Sequence, residues 1–331
     1  MIFDTAIITP AYALIGAGVF CTTGIALFLF LKFKPNSFLV PKHRNIYFAG
    51  IILALVVSVA SFWQLSSSRM LIGFLLATIV IILIGRIDEK KNSSPGNQLG
   101  FQALIASIVI YFGWSIPHIT NIFYGGVLIL GPIGALLAFV WILACMNAVN
   151  FLDGTDGLAP AVIAIACLAL AGISLLPATQ DSTTFILAII GFSAIMAFFL
   201  FNAPPARIYL GTTGSWFLGL FIALVAMIGG GKIVTTLIVL ALPILDVLFV
   251  VVYRIISKKP IWRGDTISHI HHRLTRAGVG KWNIVLFVSA FTSILAIISV
   301  IATTQIKILA FCIVAVMFFI TSARMMKHRT L

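Results

Sequence analysis

Long apolar runs alternate with short polar breaks along the whole chain. They fall at roughly 9–31, 46–65, 70–87, 99–115, 127–149, 158–177, 183–202, 214–230, 233–254, 283–302 and 305–323. Each is close to the ~20 residues that a helix needs to cross a hydrocarbon core about 30 Å thick. Inside lipid the backbone must satisfy its own hydrogen bonds, so runs of this length are helices. The pattern predicts an all-α polytopic membrane protein with about 11 transmembrane helices, organised as one integral domain over 1–331. The stretch 116–126 reads as a re-entrant segment or an outer loop, and no internal repeat or low-complexity linker interrupts the series.

Composition supports the same class. Hydrophobic residues make up 61% of the chain and charged residues only 9%, against about a quarter charged in a soluble domain. The net charge of +13 raises nucleic acid as a partner. The charges are spread over short loops between spans, which is the pattern of an orientation signal, so no nucleic acid is expected. Of the 21 Lys and Arg, 18 fall on the side holding the loops after the odd-numbered spans and the C-terminus, and three (Arg69, Lys232, Lys307) on the other. The positive-inside rule then places the N-terminus outside and the C-terminus in the cytoplasm, with an odd number of spans. Cys21, Cys145, Cys167 and Cys312 lie in apolar runs without paired or metal-like spacing, and read as small hydrophobes. The first run is followed by many others, so it reads as a retained helix and not a cleaved signal peptide.

Acids are scarce, and their placement is informative. Of the eight, Asp88, Glu89, Asp153, Asp156 and Asp265 fall at cytoplasmic span ends or loops. Asp246 lies within the ninth run, and Asp4 and Asp181 lie outside. An acid at or in a span is costly, which makes it a functional candidate. Asp88-Glu89 reads either as a helix end neutralised by Lys90 and Lys91, or as a pair that holds Mg²⁺ or acts as a base. Asn147 to Leu158 sets two Asn and two Asp beside two Gly at a span boundary, more oxygen ligands than a plain turn needs. Arg207 to Gly219 enters the eighth run through Gly211, Gly214 and Ser215, a form suited to binding an anion at a helix start. Ser268 to Leu274 packs His269, His271, His272 and Arg273 together, half of all the histidines in the chain. With no cysteine nearby, diphosphate recognition fits this cluster better than a zinc site.

These four segments, in this order, resemble the polyprenyl-phosphate N-acetylhexosamine-1-phosphate transferases, and the likeness covers most of the chain. Asp88-Glu89 matches the family's Asp-Asp, and Asn147 to Leu158 its Asn-x-x-Asn-Phe-x-Asp-Gly-x-Asp-Gly-Leu. Gly211 to Gly219 matches Gly-Asp-x-Gly-Ser-x-x-x-Gly, and His269, His271 and His272 its His-x-His-His. The resemblance implies transfer of a sugar phosphate from a UDP-N-acetylhexosamine to polyprenyl phosphate, with release of UMP, as the first membrane step of a cell-envelope polysaccharide pathway. It implies Asp88, Glu89, Asp153 and Asp156 as catalytic acids, with Asp88, Asp153 and Asp156 as ligands for Mg²⁺ (or Mn²⁺). Asn147, Asn150, Gly211, Gly214, Ser215, His269, His271, His272 and Arg273 are then expected at the substrates. The implied setting is a bacterial inner membrane, with the site on the cytoplasmic face and a homodimer among the allowed assemblies.

The chain departs from the family at three places. Glu89 replaces an Asp; Pro41 to Ile51 reads PKHRNIYFAGI where relatives often carry Pro-Arg-Gly-Gly-Gly; and Thr212 replaces an Asp regarded as a metal ligand. Thr212 keeps a second reading open, a weakened or inactive relative that binds lipid phosphate or a partner. Asp246 keeps a transporter open as a third.

Overall fold

A computed structural model describes residues 10–33, 48–62, 64–65, 68–91, 93–121, 126–228, 230, 232–258 and 270–327. Side chains are not described at 68, 270–272 and 325–327. Among these residues the chain forms thirteen helices and one small hairpin. The first four helices are α1 (Pro10–Lys32), α2 (Phe48–Ser61), α3 (Ser68–Lys91) and α4 (Pro95–Tyr111). Next come β1 (His118–Thr120), β2 (Val127–Ile129), α5 (Pro132–Leu152), α6 (Leu158–Ser174), α7 (Ser182–Asn202) and α8 (Gly211–Met227). The last five are α9 (Ile233–Val239), α10 (Ala241–Ile256), α11 (Ile270–Arg276), α12 (Lys281–Ile301) and α13 (Thr304–Lys327).

The chain is thus a helical, polytopic membrane protein. Six helices are long and apolar enough to cross a membrane, and a seventh span results if α9 and α10 count as one. Helices α2, α6 and α8 are apolar but shorter. Each of the eleven runs overlaps a helix or, for the ninth, a pair of helices.

Local chemistry explains where the elements depart from the runs. The fifth run begins at 127, but Val127–Ile129 is a strand that pairs antiparallel with His118–Thr120. Gly131 has φ +52°, and Pro132 opens the helix. Proline suits a first helical turn because its missing N–H has no partner there anyway. The ninth run breaks by 74° between α9 and α10. Pro243 lacks the N–H that would bond to Val239, and its ring crowds that carbonyl, so α9 ends at Val239. The histidine segment, read as loop, is helical over Ile270–Arg276.

Helix α8 is the axis of the bundle, buried at every position from Thr213 to Met227. A helix that is apolar all round belongs in an interior. Lipid is as apolar as leucine, so helices in a bilayer associate by close packing, which small residues permit. At Gly219 an added Cβ would lie 2.5 Å from the Cα of Met146 in α5. Helices α1 and α13 lie at the periphery, with little of their apolar surface covered.

At the end of the bundle away from Asp88, two lysines are folded inward. Lys232 is buried and donates to Asp181 at 2.5 Å and to Thr184 Oγ1 at 2.8 Å. Burial opposes ionisation of Asp181, but the Lys232 ammonium and the Thr184 hydrogen bonds outweigh it and hold the carboxyl below its usual value. Asp181 also caps α7 by accepting from the Thr183 and Thr184 N–H groups. Lys307 donates to Thr235 Oγ1 at 3.1 Å, which ties α13 to α9.

Gly219→Ala forces α5 and α8 apart. The expected cost is about 1–3 kcal/mol, read as a lower Tm in detergent; an unchanged Tm shows that the two backbones do not need this contact.

Candidate active site

Six segments meet at one end of the bundle: the end of α3, the start of α4, the end of α5, the turn 153–157, the loop 203–210 and the start of α8. They enclose a cleft of about 430 Å³. Asp88 and Glu89 enter it from α3, Ser93 and Gln98 from the start of α4, and Asn150, Asp153 and Gly154 from the α5–α6 motif. Tyr209, Gly211 and Thr212 close it. A larger groove of about 610 Å³ between α1 and α2 is lined by aliphatic side chains, glycine, Thr22 and Gln64. Having no acid or base, it offers no chemistry, and the smaller polar cleft is the site.

The turn after α5 is held by one amide. Gly157 takes φ +76°, which glycine adopts without steric cost, and precedes α6. Its N–H donates to Asn202 Oδ1 at 2.9 Å, while Asn202 Nδ2 donates to the carbonyl of Ile208 at 2.7 Å. Asn202, buried at the end of α7, thereby joins the motif turn to the loop that leads into α8.

Bases sort the acids. Glu89 accepts from Arg86 at 2.6 Å and from the N–H and hydroxyl of Thr213 at 3.2 and 3.1 Å. Arg86 also lies over the Phe48 ring, 4.1 Å from its centroid. Asp156 accepts from Lys281 at 2.9 Å and from the Ala206 N–H at 3.3 Å. Asp246 is paired with Arg273, and Asp181 with Lys232. Among the described acids that leaves Asp88 and Asp153 without an ion pair. Asp88 accepts only from neutral donors: Thr212 Oγ1 at 2.7 Å, and Gln98 Nε2 at 3.1 and 3.0 Å from its two oxygens. Asp153 accepts from the backbone N–H of Gly211.

Asp153 opens to the cleft on one side and is enclosed by protein on the others. Burial pushes its carboxyl well above the usual carboxylate range; the Gly211 N–H opposes this, and the neighbouring acids Asp156 and Glu89 add to it.

Several of the expected residues have partners within the protein. The start of α8, expected to receive an anion, is already occupied by acids: Gly211 N–H points to Asp153 and Thr213 N–H to Glu89. Its positive end is therefore largely matched within the protein. Ser215 is fully buried, with Oγ 3.0 Å from Asn150 Oδ1 and 2.9 Å from the Gly211 carbonyl, so it holds the Asn150 amide and does not face the cleft itself. Gly214 packs on Gly50, where an added Cβ would lie 3.0 Å from the Gly50 Cα. Asn147 donates to Gln102 at 2.6 Å and to the Leu143 carbonyl at 2.8 Å, bracing α5 on α4. Asp156, expected as a ligand, is a tether for Lys281 and does not line the cleft. Arg273 is buried against Asp246 and Phe249, not beside the cleft. His269, Asp265 and the stretch 41–47 lie outside the described residues, as do the side chains of His271 and His272.

Motif reading passes over Gln98, Gln102 and Asn202, whose amides brace the elements around the cleft. Their signal was present: two amides one helical turn apart near the start of an apolar run, and one amide closing another run before Pro204-Pro205.

Among the described residues, no three His, Cys, Asp or Glu side chains are gathered as a cage for a metal ion. Mg²⁺ does not ask for one; it usually takes one or two carboxylates, keeps waters, and shares substrate phosphates. Asp88 and Asp153, on one cleft and lacking a cation, fit that mode.

A sequence model of glycosyl transferase family 4 matches residues 71–230, which run from α3 past α8 and include every cleft-lining residue. Across 262 residues the chain is 30% identical to the probable undecaprenyl-phosphate N-acetylglucosaminyl 1-phosphate transferase of Bacillus subtilis (strain 168), covering 74% of this chain and 68% of that one. The chain belongs to glycosyl transferase family 4. A phospho-N-acetylmuramoyl-pentapeptide-transferase from Lactococcus lactis is also 30% identical, covering 76% of this chain and 81% of its own length. A decaprenyl-phosphate N-acetylglucosaminephosphotransferase from Mycobacterium leprae is 25% identical, with 77% and 74% covered. The family assignment agrees with the helical, membrane-spanning architecture, and the relatives it brings are named as phospho-sugar transferases.

Two outcomes follow from the geometry. Asn202→Leu leaves the Gly157 N–H and the Ile208 carbonyl without partners in a buried place, at about 1–3 kcal/mol for each lost partner; an undiminished Tm contradicts this. A raised Asp153 pKa means that the metal-free folded chain holds a proton the unfolded chain has lost. From the ordinary carboxylate range near 4 up to that raised value, stability therefore falls as pH rises. Thermal unfolding with chelator across this window is expected to show the slope in the native chain and a flatter curve in Asp153→Asn.

Proposed function

We propose that this chain transfers an N-acetylhexosamine 1-phosphate from a UDP-sugar to polyprenyl phosphate, of undecaprenyl type, and releases UMP. The reading is carried by Asp88 and Asp153, two acids left without a basic partner on one polar cleft at the end of a membrane bundle. Two of the relatives named above, from Bacillus subtilis and Mycobacterium leprae, are named for transfer involving a polyprenyl phosphate and N-acetylglucosamine phosphate. An oxygen of the lipid phosphate attacks the sugar-bearing phosphorus, the bond to the UMP oxygen breaks, and a polyprenyl-diphosphate sugar remains. A phosphate monoester is already ionised near neutral pH, its second pKa being about 6, so no side chain has to remove a proton from it. The protein's part is positioning and charge neutralisation.

Asp88 and Asp153 would hold Mg²⁺, or Mn²⁺ in its place, and the ion would neutralise the converging phosphates. Gln98 and Thr212 aim the Asp88 carboxylate, the Gly211 N–H aims Asp153, and Ser215 fixes Asn150 so that its NH₂ group remains for a ligand in the cleft. Thr212 acts as a donor that steadies Asp88, where a second carboxylate would repel it unless a cation lay between them. The site lies at the bundle end that also carries Arg86, Lys90, Lys91, Arg207 and Lys281. At the opposite end Lys232 and Lys307 are buried. This supports a cytoplasmic site in an inner membrane, with the C-terminus on the same side, and a place as the first membrane step of an envelope polysaccharide.

Purified chain with undecaprenyl phosphate, Mg²⁺ and a panel of UDP-N-acetylhexosamines is expected to release UMP. Asp88→Asn and Asp153→Asn should each lower kcat at least about 100-fold, the scale of losing an electrostatic group at a reacting phosphate. With the Asp153 carboxyl raised by burial, protons and Mg²⁺ would compete for it, so affinity for the ion is expected to rise with pH, which isothermal titration in two buffers can read as proton release. In a transferase that works with Thr212, Thr212→Asp should lower a robust native activity, whereas a large gain in activity or Mg²⁺ affinity favours a weakened relative. A native chain that releases no UMP with any donor, and gains activity through Thr212→Asp, would instead establish a weakened relative.

A further inference from the structure

Asp246 is an acid that the proposed chemistry does not use. It lies in α10 and its side chain is 4% exposed; Arg273 of α11 is 3% exposed and donates to it from Nη2 at 3.3 Å. The same guanidinium lies over Phe249, 5.3 Å from the ring centroid. Phe249 in turn meets Phe318 and Phe319 of α13 edge-on. Asp246 also borders a small cavity with Phe151, Leu152 and Leu158 of the motif that carries Asp153. One carboxylate therefore lies between that motif and the short helix within the histidine segment.

Desolvation offsets most of what a buried ion pair contributes to stability, whereas the pair is well suited to fixing register. Helix α11 has only seven residues. Helices this short are not stable by themselves, so its place depends on what it docks against. Downstream, Lys281 at the first position of α12 is tied to Asp156 of the same motif.

We propose that Asp246, which borders the Asn/Asp motif, is a positioning residue: through Arg273 it fixes the backbone of α11, Ile270–Arg276, on α10 in one register. Its kinetic consequence rests on the transferase reading; its structural consequence does not. The experiment compares the full-length native chain in detergent with Asp246→Asn, Asp246→Glu and the double variant Asp246→Leu/Arg273→Met. Amide hydrogen exchange over Ile270–Arg276 is read against α6, alongside kinetics with the UDP-sugar.

In Asp246→Asn, exchange of α11 is expected to speed up about tenfold while α6 is unchanged. KM for the sugar nucleotide is expected to rise about tenfold and kcat to change less than about threefold, the signature of lost ground-state placement. Asp246→Glu should restore part of both. The double variant removes the buried charges, and with them their desolvation cost, so it folds, yet α11 stays loosely docked and KM stays high. Native protection of α11 in Asp246→Asn, or native KM and protection in the double variant, overturns the proposal. A native chain inactive with every donor overturns the transferase reading alone and leaves hydrogen exchange to decide this one.

Discussion

A carboxylate among membrane helices is stable as an ion only if something positive or strongly polar faces it, and that demand organises the polar end of this bundle. Arg86 answers Glu89, Lys281 answers Asp156, and Arg273 answers Asp246. Each of these acids also joins separate parts of the structure. Glu89 reaches from α3 to the first turn of α8, Asp156 joins the motif turn to α12, and Asp246 joins α10 to α11. The acids that carry no basic partner are then conspicuous by chemistry and not merely by position. Asp88 and Asp153 are aimed by neutral donors, and neither carboxyl has a basic partner.

Close packing around α8 makes this arrangement possible. Gly219 lets α5 lie backbone to backbone against it, and Gly85 does the same for α3, where a Cβ would sit 2.5 Å from Thr213 Oγ1. The second contact lies one helical turn from Asp88 and Glu89. The spacing between the acids of α3 and the start of α8 is thus set by backbone contact, a stiffer constraint than side-chain packing. Thr212 can reach Asp88 at 2.7 Å because of it.

The chain's helices were largely legible from apolar runs because run length and bilayer thickness are tied by simple geometry. The cleft was legible as a set of motifs, but not as a division of labour. Nothing local marks Asp156 as tethered and Asp153 as open; the basic partner of Asp156 lies 125 residues away, and Thr212, one of the two side chains that aim Asp88, lies 124 residues away. The hairpin escaped notice because three-residue strands leave almost no periodic trace. The elbow in the ninth run depends on Pro243 crowding one carbonyl, a single-residue effect inside an otherwise continuous apolar pattern. Gln98 and Gln102 belong to no motif, and only the fold brings them to Asp88 of α3 and Asn147 of α5.

The amide of Asn202 uses its oxygen and its nitrogen for two different backbone groups. That double use restricts what can replace it. Aspartate has the same shape but no donor, and it would add a charge to a turn that already holds Asp153 and Asp156. Leucine has the same bulk and meets neither group. Neutral drift at this position is therefore confined to a side chain with one donor and one acceptor at a fixed reach, although it touches no reacting atom.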